Sequence, residues 1–225
     1  MDKRFLGILG IIAAIFIGIF VISQHSSNGS SGSNGSSSGK ATNHVMGENQ
    51  KNVVVMEYGD YECPICGAYY LPLKQAVDQN IKDIKFQFRN LPLSAIHQNA
   101  FAGARAAEAA GMQGKYWEMH DKLYENQSQW TSSTTPTDSF NTYAKQLGLD
   151  VNKFKTDYIS SSVNDSINAD ITEFGKTGQD KATPTIFING VYVPNSTFTD
   201  PQTGAPTTER INSAIQAAIK KSSNN

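Results

Sequence analysis

Two cysteines three positions apart are the residues of this sequence best suited to chemistry. The chain has 225 residues, and its only cysteines are Cys63 and Cys66, separated by Pro64 and Ile65. A disulfide between them would close a very small loop and add little stability, because the entropic gain grows with loop length. The spacing therefore favours a thiol–disulfide exchange centre. The alternatives are a structural disulfide and a metal site.

A metal site is disfavoured because the pair has no obvious further ligands. Structural zinc sites use four ligands, and the sequence contains no second C-x-x-C motif. His97 and His120 lie far along the chain within helical, aromatic-rich patterns, where we interpret them as packing residues. We expect neither a metal nor a cofactor.

The two cysteines should lie at the start of a helix that follows a buried strand. Residues 52–58 are β-branched and apolar, which is typical of a central strand, and Pro64 suits a first helical turn. Unpaired N–H groups and the helix dipole would favour a thiolate at Cys63. Cys66 would lie one turn further on the same side. We therefore expect Cys63 to be the exposed, attackable sulfur and Cys66 the buried, resolving one.

A lowered pKa at Cys63 would change the redox equilibrium more than the rate. A fall from about 8.5 to about 5.5 would stabilise the thiolate by roughly 4 kcal/mol and raise its fraction at pH 7 about 30-fold. The intrinsic nucleophilicity would fall about 20-fold at the same time. Because these two effects nearly cancel, the main result is a favoured reduced state, which makes the disulfide form an oxidant.

The remaining pattern predicts an α/β fold in which a helical block interrupts a sheet. Further strands are predicted at 85–89 and 183–188, and Asn189-Gly190 is a hairpin turn into a strand at 191–193. Helices are predicted from Pro64 to about residue 81 with a kink at Pro72, at 98–110, 116–124 and 139–147, after Asp150, at 163–174 and at 209–220. The loop at 194–208 receives no functional interpretation.

The first part of the sequence is predicted to be an anchor and a tether. Residues 5–22 form an uncharged apolar run, which as a helix would span about 27 Å of a bilayer. Residues 1–4 carry two basic side chains and the next Lys or Arg is Lys40, so the amino terminus is expected in the cytoplasm. A cleaved signal peptide is the alternative. Residues 23–47 are rich in Ser, Gly and Asn and are interpreted as a flexible linker.

Length and charge limit the class of the folded part. Residues 48–222 suffice for one well-buried domain with a helical insertion at about 97–178. The formal net charge is −1 and the folded part has no run of Lys or Arg, which argues against nucleic-acid binding. The domain is expected outside the cytoplasm, at the cell membrane.

Three segments resemble DsbA-like thioredoxin-fold proteins. The segment at 54–66, VVMEYGDYECPIC, resembles their active-site strand and helix. The segment GKYWEMHDKLY at 114–124 is similar to their helical insertion, and TPTIFING at 183–190 is similar to their cis-proline strand. The similarity covers roughly residues 50–220 and is greatest to the membrane-anchored members. It implies a thioredoxin-like fold with an inserted helical subdomain, preceded here by a transmembrane helix.

The resemblance also implies roles for three residues beyond the cysteines. Pro184 would be the cis-proline opposite the disulfide, and the backbone of Thr183 would pair with an extended substrate segment. Glu57 matches a buried acid that could accept and return the proton of Cys66. The alternatives are a trans proline that starts a strand and an outward-facing glutamate. The Pro-Ile dipeptide between the cysteines differs from the Pro-His of well-known oxidising members and leaves the oxidising strength open.

The function implied by the resemblance is oxidation of newly exported thiol proteins. A quinone-linked membrane partner of the DsbB or VKOR type would regenerate the disulfide. A reductase or isomerase of the same fold, and a binding or chaperone module that does not use the sulfurs, are the alternatives. Because the sequence lacks a dimerisation segment of the isomerase type, we expect a monomer.

Overall fold

The computed structural model describes residues 39–224. The predicted anchor at 5–22 and the linker as far as residue 38 lie outside the described residues. Within the described residues, no helix combines the length and the apolar character needed to span a bilayer.

The described part contains a mixed sheet of five strands. They are β1 (His44–Met46), β2 (Val53–Gly59), β3 (Ile84–Asn90), β4 (Thr185–Ile188) and β5 (Val191–Val193). Their order in the sheet is β1-β3-β2-β4-β5. Strands β2 and β3 are parallel, and the other pairs are antiparallel. The central position of β2 is the one predicted for residues 52–58.

Helices surround this sheet, most of them in the insertion between β3 and β4. The helices of the described part are α1 (Pro64–Gln79), α2 (Ala100–Gly111), α3 (Tyr116–Glu125), α4 (Gln127–Trp130), α5 (Pro136–Gln146), α6 (Val151–Tyr158), α7 (Ser161–Gly175) and α8 (Thr208–Ser222). Pro72 lies inside α1 without ending it. The Asp150 side chain caps α6 by accepting from two backbone N–H groups.

Part of the predicted linker belongs to the folded domain, which corrects its boundary at residue 47. His44–Met46 form the edge strand β1, which pairs with β3. Just before it, the Thr42 backbone N–H and hydroxyl donate to the buried Asp170 carboxylate at 2.8 and 2.6 Å. A strand of three residues is too short to show alternation in the sequence, and a hydrogen bond between residues 128 positions apart leaves no local sequence pattern. The Ser, Gly and Asn content of the segment therefore predicted a linker as far as residue 47.

Strand β2 positions the site through its buried face and through its carboxyl end. Val53, Val55 and Glu57 are buried on one face, in line with the alternation of a strand. Strand β2 ends at Gly59, where an added Cβ atom would lie 2.4 Å from the Phe88 ring. Helix α1 begins five residues later.

Candidate active site

Cys63 occupies the N-cap of α1. Its backbone is extended, with φ −65° and ψ 121°, and Pro64 takes the first helical position. Its N–H donates to the Asp60 carbonyl at 3.1 Å, and its thiol donates to the Thr183 carbonyl, with Sγ and O 3.5 Å apart. Only 5% of the residue is exposed. The expectation of an exposed sulfur is therefore wrong, because the Thr183 segment lies against it, while the expected position at the helix end is confirmed.

The surroundings of Cys63 favour its thiolate. The pKa of Cys63 falls from 9.0 to about 5, mainly because the Cys66 thiol donates a hydrogen bond to it. Burial opposes this, while the Thr183 hydroxyl and the N–H groups of Cys66 and Ile65 lower the pKa further. At pH 7 a pKa near 5 leaves about one thiol for every hundred thiolates.

Cys66 has the opposite character. It is fully buried in the next turn of α1, and burial raises its pKa well above 9.0, with the Cys63 sulfur and the charge of Glu57 acting in the same direction. Neither cysteine is part of a disulfide in this structure. The pair therefore combines an ionised sulfur at the helix end with a protonated sulfur beneath it.

Glu57 lies behind the cysteines, on the inward face of β2. The residue is 4% exposed, so it does not face outward. Burial raises its pKa from 4.5 to about 8, and the negative charge of Cys63 adds to this effect. A carboxyl group with a pKa close to neutrality can both give and take a proton under ordinary conditions.

The Thr183–Pro184 peptide bond is cis, as the resemblance implied. Both residues are buried just before β4, whose first residue Thr185 pairs with Tyr58 near the end of β2. The register of the sheet thus brings the cis-proline segment to the start of α1, although some 120 residues separate them in the chain.

The loop that follows β5 supports this segment. The Asn195 side chain donates to the Pro184 carbonyl at 3.1 Å, and the Tyr69 hydroxyl of α1 donates to the Asn195 carbonyl at 3.2 Å. Phe198 anchors the loop in the core with 1% exposure. No sequence pattern connects residues 194–208 with the site, whereas these contacts do.

Two further side chains hold the loop between β2 and α1. The buried Asp60 carboxylate accepts from the Leu93 N–H at 2.9 Å and from Nδ1 of His97 at 2.7 Å. Gln127 Nε2 donates to the carbonyls of Tyr61 and Cys63 at 2.8 and 2.9 Å. The prediction that His97 is only a packing residue is therefore wrong. Gln127 has no recognisable motif, since it is a single amide far along the chain.

The fold agrees with comparisons to known proteins. A thioredoxin family model matches residues 39–217. The chain belongs to the thioredoxin family. The match starts before β1, in agreement with the domain boundary that the structure gives.

One relative of this thioredoxin-family chain has a name that refers to disulfide bonds, and two solved structures share its fold. It is 26% identical over 199 residues to the probable disulfide bond formation protein D of Bacillus cereus, covering 84% of this chain and 91% of that protein. BdbD of Bacillus subtilis, in its oxidised form, superposes with a TM-score of 0.64 at 21% identity, covering 81% of this chain and 97% of that one. Wolbachia pipientis alpha-DsbA1 gives a TM-score of 0.66 at 15% identity, covering 81% and 94%. The chain therefore has the DsbA-like thioredoxin fold.

A second group of relatives consists of much longer proteins. The Na(+)/H(+) antiporter NhaA 1 of Salinispora arenicola is 35% identical over 147 residues, which cover 65% of this chain. The matched region spans only about a fifth, 22%, of that antiporter's length.

Proposed function

We propose that this protein is an extracytoplasmic thiol–disulfide oxidoreductase that introduces disulfide bonds into exported proteins through Cys63 and Cys66. The observation that carries the proposal is the placement of Cys63 at the N-cap of α1, with Cys66 fully buried one turn further on. This arrangement lowers the pKa of Cys63 to about 5 and raises that of Cys66. A stabilised thiolate favours the reduced pair, so the disulfide form tends to accept electrons. The same thiolate is a good leaving group when a substrate disulfide is released.

The reaction proceeds as two thiol–disulfide exchanges. A substrate thiolate attacks the Cys63 sulfur, the Cys63–Cys66 bond breaks, and Cys66 leaves as a thiolate. A second substrate thiolate then attacks the substrate sulfur of the mixed disulfide, and Cys63 leaves as the stabilised thiolate. The substrate has lost two electrons, and the cysteine pair has gained them.

Glu57 donates a proton to Cys66 and accepts it back in this scheme. Because the pKa of Cys66 is raised by burial, the departing thiolate must be protonated, and Glu57 is the buried acid behind it. When a partner reoxidises the pair, the proton returns from Cys66 to Glu57. A carboxyl with a pKa of about 8 can act in both directions near neutral pH.

Substrate binding is assigned to the cis-proline segment. The Thr183 carbonyl lies 3.5 Å from the Cys63 sulfur, so an extended peptide carrying the attacking cysteine could pair with the backbone of Thr183. Such pairing adds a strand whose affinity comes from main-chain hydrogen bonds. Pro184 keeps its neighbour close to the sulfur and leaves no N–H of its own to satisfy.

Two cysteine variants test the proposed chemistry. Cys63→Ser should abolish the oxidation of a reduced model protein, such as unfolded ribonuclease, whereas Cys66→Ser should accumulate mixed disulfides through Cys63. Unchanged activity of Cys63→Ser would favour a binding or chaperone module. A pair that is mostly reduced in cells, measured by alkylation and a mobility shift, would favour a reductase or isomerase.

The cellular setting is part of the proposal and draws on the sequence. The apolar run at 5–22 would anchor the chain with its amino terminus in the cytoplasm, and a quinone-linked membrane protein of the DsbB or VKOR type would reoxidise the pair. Retention in the membrane after alkaline carbonate extraction, with the domain open to external protease, is expected. Sedimentation of the purified domain should show a monomer.

A further inference from the structure

A small cavity lies behind the active-site strand, away from the Thr183 segment. Its polar lining comes from β2, α1 and α3 and consists of Glu57, Lys74, His120, Asp121 and Tyr124, and the rest of the wall is apolar or aromatic. The cavity offers about 20 Å³ to the centres of water molecules, which is room for about one. The carboxyl group assigned to proton exchange with Cys66 therefore borders a space that can hold water.

Two buried polar atoms on this cavity wall have no partner. They are Nε2 of His120 and the hydroxyl of Tyr124, which make no hydrogen bond within residues 39–224. Each residue is only 6% exposed. Unsatisfied buried polar atoms are rare, and ordered water commonly satisfies them where a polar cavity has room. The cavity thus has both the space and the hydrogen-bonding groups that a water molecule needs.

The other nitrogen of His120 determines which tautomer is present. Nδ1 lies 3.2 Å from an Asp121 carboxylate oxygen. Although burial opposes it, hydrogen bonds from His120 and Lys74 and the charge of Lys74 lower the pKa of Asp121, so this carboxylate is ionised and can only accept. Nδ1 therefore carries the hydrogen, and Nε2 presents a lone pair toward the cavity.

The imidazole of His120 is neutral at pH 7 and held in a fixed orientation. Burial is the main cause that lowers its pKa, while Asp121 raises it. The charged or titratable groups that act on it from the same and neighbouring elements are Asp121, Lys74 and His44. The aromatic rings that pack around it belong to Tyr61, Tyr70, Phe88, Tyr116, Trp117 and Tyr124. A neutral imidazole with a free lone pair is a suitable proton carrier.

The proposed reaction requires a proton path at this place. Each time the pair is oxidised or reduced, Cys66 loses or gains one proton through Glu57, and Glu57 must then exchange that proton with bulk water. Glu57 is 4% exposed, and on the cysteine side a mixed disulfide would block access. The Lys74–Asp121 ion pair, with an N–O distance of 3.1 Å, has side chains 36% and 29% exposed, so the cavity wall reaches solvent there.

We propose that a water molecule in this cavity and Nε2 of His120 carry the proton between Glu57 and solvent, with the Lys74–Asp121 pair at the outer end. When the pair is reoxidised, Nε2 takes the proton that leaves Glu57, and the Nδ1 proton passes outward along Asp121. When a substrate is oxidised, the transfers run in reverse and restore the first tautomer. His120 is a proton-relay residue in this scheme and touches neither substrate nor the cysteines. The inference rests on the proposed function.

The test follows the closing of the disulfide in the reduced full-length protein. Oxidised glutathione in excess first forms a mixed disulfide at Cys63, and Cys66 then closes the bond and must lose its proton. Acid quenching, alkylation and mass spectrometry separate the two steps. In His120→Phe, which retains an aromatic ring, closing at pH 7 should slow by about tenfold or more, because general acid–base groups typically contribute at least that much. Mixed-disulfide formation should be unchanged.

Further variants separate a relay from a packing role. Asp121→Asn should slow closing in the same way, whereas Glu118→Gln on the same helix, whose carboxylate pairs with Lys115 at the surface, should not. In His120→Phe the closing rate should become proportional to hydroxide concentration between pH 6 and 8, which a loss of packing alone would not cause. Closing at the wild-type rate in both His120→Phe and Asp121→Asn would overturn the inference.

A measurement on the wild-type protein keeps the inference testable should His120→Phe fail to fold. Nitrogen NMR of labelled histidine in the reduced protein should show the proton of His120 on Nδ1 and a bare Nε2, and the opposite tautomer would overturn the relay. Failure of the wild type to form any mixed disulfide at Cys63 would instead refute the proposed function. The two failures are therefore distinguishable.

Discussion

Replacing Cys66 with alanine tests which interaction keeps Cys63 ionised. The hydrogen bond from the Cys66 thiol is the largest cause of the low pKa of Cys63, about 5. Hydrogen bonds to charged groups contribute about 1.5–3 kcal/mol, and one pKa unit corresponds to about 1.4 kcal/mol. Cys66→Ala should therefore raise the pKa of Cys63 by about one to two, to between about 6 and 7.

The thiolate absorbance near 240 nm measures this pKa directly in the reduced protein. Cys66 does not interfere in the wild type, because burial raises its pKa well above 9.0. Cys66→Ser is the matched control, since its hydroxyl keeps a donor in nearly the same place and should leave the pKa close to the wild-type value. Circular dichroism and thermal melting verify that both variants are folded.

Two results would refute this reasoning. If the pKa of Cys63 stays near 5 in Cys66→Ala, then the backbone N–H groups at the helix end are sufficient and the neighbouring thiol is not the main cause. If the pKa returns to about 9, the helix end contributes nothing, although the N–H groups of Cys66 and Ile65 are expected to lower it.

Three further predictions concern residues around the site and the core. In the oxidised protein the unfolding free energy should fall by up to about 4 kcal/mol as pH rises from 4.5 toward 8, because folded Glu57 keeps a proton that the unfolded chain has lost. Urea titrations at several pH values measure this slope, and Glu57→Gln should remove the part of it that comes from Glu57. Gln127→Ala should lower the unfolding free energy by about 1–3 kcal/mol, since it leaves two backbone carbonyls without their side-chain donor. Replacing the exposed Gln129 with alanine is the control, and equal effects of the two variants would contradict a structural role for the Gln127 hydrogen bonds. Asp170→Asn should lower the unfolding free energy by about 2–4 kcal/mol, because a carboxylate oxygen that accepts buried hydrogen bonds is replaced by an NH2 donor. As a control, Asp180→Asn at an exposed position should leave the urea midpoint unchanged.

The elements with strong local patterns were predictable from the sequence. Strand β2, the helix after the cysteines and the Asn189-Gly190 turn all follow from short-range patterns, and both turn residues have the positive φ that such a hairpin requires. The alternation of β2 also places Glu57 on the face of Val53 and Val55. The position of Cys63 at a helix end could be predicted for the same reason.

The features that have no local sequence signal depend on distant contacts. The exposure of Cys63 was overestimated because a segment some 120 residues away lies against its sulfur. Strand β1 is three residues long and is defined by its pairing with β3, and the one-turn helix at Gln127–Trp130 is too short to show periodicity. The helix dipole correctly predicts that the pKa of Cys63 is lowered. The largest cause of the lowering is nevertheless a side-chain hydrogen bond with Cys66.

The equilibrium redox potential of the Cys63–Cys66 pair tests the central claim most directly. It can be measured by equilibrating the protein in glutathione buffers at pH 7 and counting alkylated thiols by mass spectrometry. Because the thiolate of Cys63 stabilises the reduced state, we expect a potential clearly above the roughly −270 mV of a reducing thioredoxin, at about −200 mV or higher. A potential at or below about −270 mV would contradict the account, since the pair would then hold its disulfide too firmly to donate it.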